Sequence, residues 1–246
     1  MTNFKRVSML VILMISILIT GCEKSIFCIQ GEGTVTTETL NISNFDGINL
    51  AFSSNVTVRQ GTVLEVTATG HLNIIEKIST SVSNNYWNID FVDNECYQND
   101  QLSIEITIPN ISRLDISGSG NITVEDFLNQ NNLSIDISGS GDLTLNAFEG
   151  TTNLNVEISG SGDMTANNDI TTLNALELDI SGSGDYSCFA ISSNDCAVDM
   201  SGSGDCETRV GNTLNVNISG SGDVSYRGTP TITQTITGSG DLIDAN

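Results

Sequence analysis

A five-residue motif, Ser-Gly-Ser-Gly-Asp, recurs through the second half of the chain and constrains its fold more than any other feature. Its copies begin at Ser117, Ser138, Ser159, Ser181, Ser201, Ser219 and, as Thr-Gly-Ser-Gly-Asp, at Thr237. The intervals of 18 to 22 residues fall in the range of repeat architectures and are far longer than the nonapeptide of calcium-binding rolls. The chain therefore repeats one small structural unit.

Apolar and polar residues alternate on both sides of each copy. In the second copy, Ile135 and Ile137 precede the motif and Leu143 follows it, and both glycines keep the same parity. Alternation with a period of two is typical of a β-strand that buries one face. We therefore expect the glycines to point inward at a bend that has no room for a side chain, while Ser, Ser and Asp point outward.

A strand, a bend and a strand within about 20 residues leave no room for a crossover helix, so the inner face is buried only by stacking on the next copy. The sequence therefore predicts an all-β fold, a parallel right-handed β-helix (solenoid) with coils of about 20 residues. Regular coils are expected over residues 112–242, and less regular coils before them. Gln234 occupies an inward position, which indicates that the last coil caps the stack.

The N-terminus has the pattern of an export signal. Lys5 and Arg6 precede an apolar run from Val7 to Thr20, and Gly21-Cys22 follows where the bacterial lipobox has its cysteine. We predict a lipoprotein signal peptide over residues 1–21, a lipidated N-terminal linker over 22–36, and a membrane anchor through Cys22. The apolar run is shorter than the ~20 residues that span a bilayer, and an ordinary signal peptide is the alternative. The predicted location is the bacterial cell envelope, at the outer membrane or cell surface.

The charge balance limits the partners of the chain. Thirty Asp and Glu residues against eight Lys and Arg give a net charge of −22, which disfavours nucleic acid and favours cations, basic partners or neutral glycans. The sequence does not specify the oligomeric state.

Five cysteines lie beyond Cys22: Cys28, Cys96, Cys188, Cys196 and Cys206. The last three occupy inward positions, so we expect buried thiols and not metal ligands. Export permits disulfides, but the sequence leaves their pairing open.

In-register stacking places acidic residues on neighbouring strands of the outward face. The predicted cation or ligand face comprises Asp136, Asp142, Glu157, Asp163, Asp179, Asp185, Asp199, Asp205 and Asp223. Each like-charged pair at ~4.8 Å costs about 0.9 kcal/mol even at the dielectric of water. Bound Ca²⁺ could offset this cost. The favoured alternative is that each Asp accepts hydrogen bonds from serine hydroxyls or bend N–H groups, because one carboxylate per coil is sparse for an ion that takes 6 to 8 oxygens.

Several stretches resemble a known bacterial family. These are "FDGINL" from Phe45, "NVTVRQG" from Asn55, "LSIEITIPNISRLDISGSGNI" from Leu102, and the repeating Gly-Ser-Gly-Asp. In this order they are similar to the family called the putative auto-transporter adhesin, head GIN domain, over residues 37–242. The resemblance implies a β-helical domain on secreted or lipid-anchored envelope proteins, and the family's name implies adhesion.

We therefore expect a non-enzymatic surface or envelope module that contacts a matrix or a glycan, and we assign no catalytic residue. The alternative is a glycan-active β-helix enzyme, like a polysaccharide lyase or hydrolase, in which stacked acids act as general acid and base. Against the enzyme, no coil carries an unusual cluster of acids, and the single histidine, His71, lies outside the repeats.

Overall fold

The computed structural model describes residues 28–93, 95–98, 101–125, 127–128, 130–146, 148, 150–168 and 170–246, with the backbone alone for 170–172. It is nearly all β, a solenoid of about 6 turns with about 21 residues per turn. The predicted solenoid and its coil length are confirmed. The predicted signal peptide and Cys22 lie outside the described residues.

The described residues form twenty-one strands and one short helix. In chain order the elements are β1 (Ile29–Gln30), β2 (Val35–Thr39), β3 (Gly47–Leu50), β4 (Asn55–Gln60), β5 (Glu65–His71), α1 (Leu72–Ile75), β6 (Val82–Ser83), β7 (Tyr86–Ile89), β8 (Tyr97–Gln98), β9 (Ser103–Ile108), β10 (Arg113–Ile116), β11 (Asn121–Val124), β12 (Asn132–Ile137), β13 (Leu143–Leu145), β14 (Asn153–Ile158), β15 (Met164–Ala166), β16 (Ile170–Ile180), β17 (Tyr186–Met200), β18 (Cys206–Ile218), β19 (Val224–Arg227), β20 (Thr231–Ile236) and β21 (Leu242–Asp244).

Parallel pairing in a constant register builds the regular coils. The strands before each bend stack as β10, β12, β14, β16 and the second half of β17, with Ile116 beside Ile137 and Ile137 beside Ile158. The strands after each bend stack as β11, β13, β15 and the start of β17. Equivalent residues of successive coils therefore lie directly above one another, as the repeat predicts.

The core is a set of columns of apolar side chains running along the stack. Ile137, Ile158 and Ile180 are at most 1% exposed, and the same holds for most inward positions of both strand columns. Phe127 and Phe148 stack at the opposite corner, with ring centroids 5.8 Å apart. Because each coil covers the inward residues of the next, the apolar core is continuous although no coil could bury its own face.

The bends have no room for a side chain at the motif glycines, as predicted, and the structure shows which atoms fill the space. A Cβ built on Gly141 would overlap the carbonyl oxygen of Gly120 in the preceding coil, and one on Gly162 would overlap that of Gly141. The obstacle is the stacked backbone of the neighbouring coil. None of the motif glycines has a positive φ, so close backbone approach alone excludes side chains there.

The N-terminal end of the solenoid combines coils with an antiparallel cover. β3 pairs in parallel with both β10 and β7, and β4 pairs in parallel with both β11 and β9. The coil of β3 and β4 therefore lies next to the regular coils, and β7 and β9, which come later in the chain, lie outside it. β5 runs antiparallel to β9, and β2 antiparallel to β5. The predicted irregular coils are therefore present, and hairpin-like pairing closes this end.

Residues 28–36, part of the segment predicted to be a linker, contribute to this cover. They include β1, which pairs with β8, and Cys28, which forms a disulfide with Cys96. Ordered structure thus begins before residue 37.

The last coil leaves its outer edge open. In the described part of the chain, β20 pairs only with β18, and all six of its residues are exposed. Gln234 is the polar inward residue that indicated a cap, but Ile232 and Ile236 beside it are 36% and 38% exposed. The coil covers the one beneath it and remains uncovered itself.

Candidate functional site

The bends form a column of backbone hydrogen bonds. The N–H groups of Ser138 and Gly139 both donate to the carbonyl of Ile116, and that of Ser140 donates to Gly118. The same pattern recurs at each later bend. The motif is therefore an ordered part of the solenoid, held to its neighbour by three hydrogen bonds per coil.

The aspartates that end each motif continue this column with their side chains. Each carboxylate accepts a hydrogen bond from the backbone N–H of the next aspartate, at 2.7 to 3.0 Å, from Asp142 through Asp163, Asp185, Asp205 and Asp223 to Asp241. Asn121 begins the ladder and accepts from the Asp142 N–H. An uncharged acceptor thus serves as well as a charged one, which identifies hydrogen bonding as the structural role of these positions.

A second acidic ladder lies two residues before the motif. Asp136, Glu157, Asp179 and Asp199 are in register on adjacent strands. At its far end Asn217 donates to Asp199 at 2.7 Å. The predicted acidic face therefore exists as two parallel rows, and its pairing is uniform along the stack.

The near end of the second ladder is shielded by neighbouring side chains. Arg113 Nε lies 2.7 and 3.0 Å from the two carboxylate oxygens of Asp115, and the Tyr86 hydroxyl donates to the same carboxylate. The pKa of the Asp136 carboxyl is raised, first because the group is half-buried and second because the Asp115 charge is near. The Asp115 charge thus contributes to the raised pKa of Asp136, and the nearby Arg113 guanidinium partly offsets it.

These rows offer a cation few ligands. Among the described residues, no group of three or more His, Cys, Asp or Glu side chains is arranged to hold a metal ion. One carboxylate oxygen of each bend aspartate from Asp142 to Asp223 already accepts an N–H group. Ca²⁺ binding along the acidic face stays a prediction, and the contacts on these carboxylates match the hydrogen-bonded alternative.

The cysteines separate into a disulfide and three buried thiols. Cys188, Cys196 and Cys206 are free and buried, as their inward positions predict. Burial raises the pKa of the Cys196 thiol to about 12, and it raises the pKa values of Cys188 and Cys206 as well. Thiols that stay protonated are poor nucleophiles and poor metal ligands, so these residues act as core side chains.

The column of glycine bends is interrupted at one coil. The register of β3 with β10 and β4 with β11 aligns Leu50–Asn55 with Ile116–Asn121. Phe52 and Ser54 thus occupy the two glycine positions. They fit because, among the described residues, the next coil outward stacks no glycine bend on them: β7 ends at Ile89, β9 begins at Ser103, and β8 between them pairs with β1.

A pocket of about 650 Å³ opens at this interruption. Its aromatic lining consists of Phe52, Phe91 and Tyr97, and its polar lining includes Asn55, Asp90, Glu95, Gln98 and Ser119. Phe91 stacks on Phe52 with centroids 4.5 Å apart and contacts Tyr97 at 4.3 Å. The three rings are only partly buried, so they form an accessible aromatic wall beside carboxylates and amides.

Local contacts hold this wall in place. Ser54 Oγ donates to the Leu102 carbonyl at 2.8 Å, and the Tyr97 hydroxyl lies 2.8 Å from both oxygens of Asp93. Desolvation, followed by the hydrogen bond to Asp93, raises the pKa of the Tyr97 phenol to about 12. The disulfide at Cys96, next to Tyr97, ties the loop to β1. The pocket is therefore supported on both sides.

The regular repeats in the sequence give no sign of this pocket. The available signal was the pair Phe52 and Ser54 at positions where every regular coil has glycine. It becomes visible only when residues 50–55 are aligned with the motif, and no copy of the motif marks that register.

The described residues contain no helix long and apolar enough to cross a membrane. No curated protein sequence matches the chain.

Solved structures share its fold. A putative adhesin from Bacteroides fragilis is 22% identical with a TM-score of 0.77, over 87% of this chain and 98% of that one. A putative lipid binding protein from Parabacteroides distasonis is 22% identical with a TM-score of 0.74, over 89% and 100%. A putative adhesin from Parabacteroides merdae is 16% identical with a TM-score of 0.65, over 88% and 99%. Identities this low establish the shared fold alone.

The family model described as putative auto-transporter adhesin, head GIN domain, matches residues 44–230. This match includes the interrupted coil, the pocket and every bend from Ser117 to Ser219, and it covers more than half of the sequence. The chain therefore belongs to the putative auto-transporter adhesin, head GIN domain, family.

Proposed function

We propose that this protein is a non-enzymatic adhesin of the bacterial cell envelope that binds neutral glycans in the pocket beside Phe52, Phe91 and Tyr97. The observation that carries the proposal is the accessible aromatic wall at the interruption of the glycine column, flanked by Asp90, Glu95 and by amide side chains. Membership of an adhesin-named family supports a role in contact at the cell surface.

The lining suits a sugar ring. An aromatic face packs against the apolar C–H face of a sugar, and pockets of this kind fix orientation with a few polar groups. Carboxylates accept hydrogen bonds from hydroxyls, and Asn55 and Gln98 both donate and accept. The net charge of −22 repels acidic polysaccharides, so a neutral glycan is the favoured ligand.

We further propose that a lipid on Cys22 anchors the protein in the membrane. Support comes from the charged start, the apolar run and the cysteine that follows Gly21. Labelled palmitate should be incorporated by the wild-type chain in bacterial cells and not by Cys22→Ser. Equal labelling of both chains would contradict the anchor.

The glycan proposal is tested by binding of the purified full chain to an array of neutral and acidic glycans, with and without Ca²⁺. We expect neutral glycans to bind without Ca²⁺ and Phe91→Ala to reduce that binding at least tenfold. Phe189→Ala is the matched control, because that ring lies outside the pocket and stacks with Arg227 at 4.1 Å.

Three results would overturn the proposal. Equal loss of binding in both variants would exclude the pocket as the site. Cleavage of array glycans would identify the protein as the glycan-active enzyme considered above. Binding to phosphatidylcholine vesicles, with no glycan bound, would identify a lipid-binding protein.

A further inference from the structure

The outer edge of the last coil carries unpaired backbone groups. β20 pairs with β18 on one side, β21 pairs with β19, and no other described strand reaches the opposite edge of either. Ile232, Ile236 and Ile243 are 36%, 38% and 41% exposed at this end. An open edge with exposed apolar side chains is a template for pairing with another strand.

The sequence of this edge is symmetrical. Residues 231–237 read Thr-Ile-Thr-Gln-Thr-Ile-Thr, the same in both directions about Gln234. An antiparallel partner strand with the same sequence would set Ile232 opposite Ile236, Thr233 opposite Thr235 and Gln234 opposite Gln234. Apolar pairs and Thr pairs directly opposite each other stabilise antiparallel sheets. The strand is therefore complementary to a second copy of itself.

The charge distribution also favours a second copy. Residues 228–240 contain no charged side chain, although the chain carries a net charge of −22. Exposed edge strands are usually protected from pairing by Lys or other charged side chains, and β20 has none. Two acidic molecules repel each other, so their edge strands can approach to the ~4.8 Å spacing of paired β-strands only where the residues that face each other are uncharged.

We propose that two copies of the chain join end to end by antiparallel pairing of β20 about Gln234, which closes the open ends of both solenoids. Such an isologous contact is self-limiting and gives a dimer, not a fibre. The end of the solenoid that would form the contact is small: six residues of strand extend over about 20 Å, and packed strand layers lie ~10 Å apart. The area buried between two such ends is at the small end of specific interfaces, so we expect a dimer that dissociates at micromolar concentration.

Single cysteines test the pairing and its direction in the full chain. We expect Gln234→Cys to form disulfide-linked dimers on mild oxidation, several-fold above the wild-type chain, which contains the same native cysteines. Ser221→Cys, which is also exposed but lies on the bend of an earlier coil, should stay at the wild-type level. Thr231→Cys alone and Thr237→Cys alone should form no disulfide-linked dimer, whereas a mixture of the two should, since residue 231 of one copy faces residue 237 of the other.

A parallel pairing would instead cross-link Thr231→Cys with itself, and that result would overturn the proposal. Equal cross-linking of Gln234→Cys and Ser221→Cys would also overturn the proposal.

The substitution Gln234→Glu provides an independent measurement. It would place the carboxylates of the two copies opposite each other at the centre of the dimer contact, and residue 234 is exposed in the single chain. Sedimentation should show the wild-type mass approach twice the monomer value with concentration, while Gln234→Glu stays monomeric. A wild-type chain that is monomeric at 100 µM, roughly the upper limit expected for so small an interface, would also contradict dimerisation.

Discussion

Two glycines in every bend determine how closely successive coils stack. The carbonyl oxygen of Gly141 occupies the space that a Cβ on Gly162 would need. We expect Gly162→Ala to force the coils apart locally and to cost about 2 kcal/mol or more in the free energy of unfolding. Thermal unfolding followed by circular dichroism measures this cost.

The matched control for that substitution is Gly211→Ala. Gly211 lies on an exposed position of β18, and a Cβ there would approach only the Ser193 carbonyl oxygen, at 3.7 Å. This is ordinary contact, so the change should be neutral or slightly stabilising. Equal destabilisation by both substitutions would show that backbone approach is not the reason for the motif.

The bend aspartates should tolerate loss of charge but not loss of the acceptor. Asp163→Asn keeps an oxygen for the Asp185 N–H, as Asn121 does at the start of the ladder. We expect the melting temperature of Asp163→Asn at pH 7 to equal or exceed that of the wild type. Asp163→Ala should cost roughly 1 kcal/mol because the N–H loses its partner. Greater damage from Asn than from Ala would support a role for the charge, as in cation binding.

The raised pKa of Asp136 predicts a pH dependence. Partial burial and the Asp115 charge disfavour the ionised form in the folded state, so the folded pKa lies above the unfolded one. The associated stability is present at low pH and is lost as pH rises through the folded pKa. Asp136→Asn should therefore raise the melting temperature at pH 7 and have little effect near pH 3.

The control for this prediction is Glu157→Gln, which removes a charge from the exposed next position of the same ladder. We expect a smaller change between pH 3 and pH 7 in that variant. Identical pH profiles for the two variants would mean that the repulsion is spread along the row and not concentrated at Asp115 and Asp136.

At the scale of elements, the disulfide holds the pocket loop onto the cover of the solenoid. It closes a segment of 68 residues, for which chain entropy predicts about 4 kcal/mol. The double variant Cys28→Ser/Cys96→Ser should lose hydrogen-exchange protection around β1 and β8. The coils from β12 onward should keep theirs, because each coil contacts only its neighbours.

Hydrogen exchange followed by mass spectrometry resolves the two regions. A uniform loss of protection through β12–β18 would contradict the prediction, since it would show that the solenoid unfolds as one cooperative unit with its N-terminal cover.

The regular coils could be predicted from the sequence because one residue pattern recurs in register. The positions of Ile137 and Leu143 in the motif hold inward-facing residues in each copy, and a coil can bury that inward face only by stacking on its neighbours. The N-terminal end could not be predicted in this way. Its coil order depends on β3 pairing with β10 across more than 60 residues, and no local pattern encodes that contact. The exception at Phe52 is likewise defined only by this long-range register.

At the scale of the whole molecule, structure and recognition occupy different places. Hydrogen bonds between coils use the bend column from Asn121 to Asp241, whereas the aromatic pocket lies where that column stops. The exposed β20 edge lies at the opposite end of the stack. A rod joined through β20 would therefore present one pocket at each of its two ends.

The most direct test of this account compares binding in two variants by titration with the neutral glycan that gives the strongest array signal. Phe52→Gly restores the residue that every regular bend has, so the coil should still fold, and we expect glycan affinity to fall at least tenfold. Asp163→Asn/Asp185→Asn alters the bend ladder and should bind like the wild type. Full binding by Phe52→Gly together with loss of binding by the ladder variant would contradict the account.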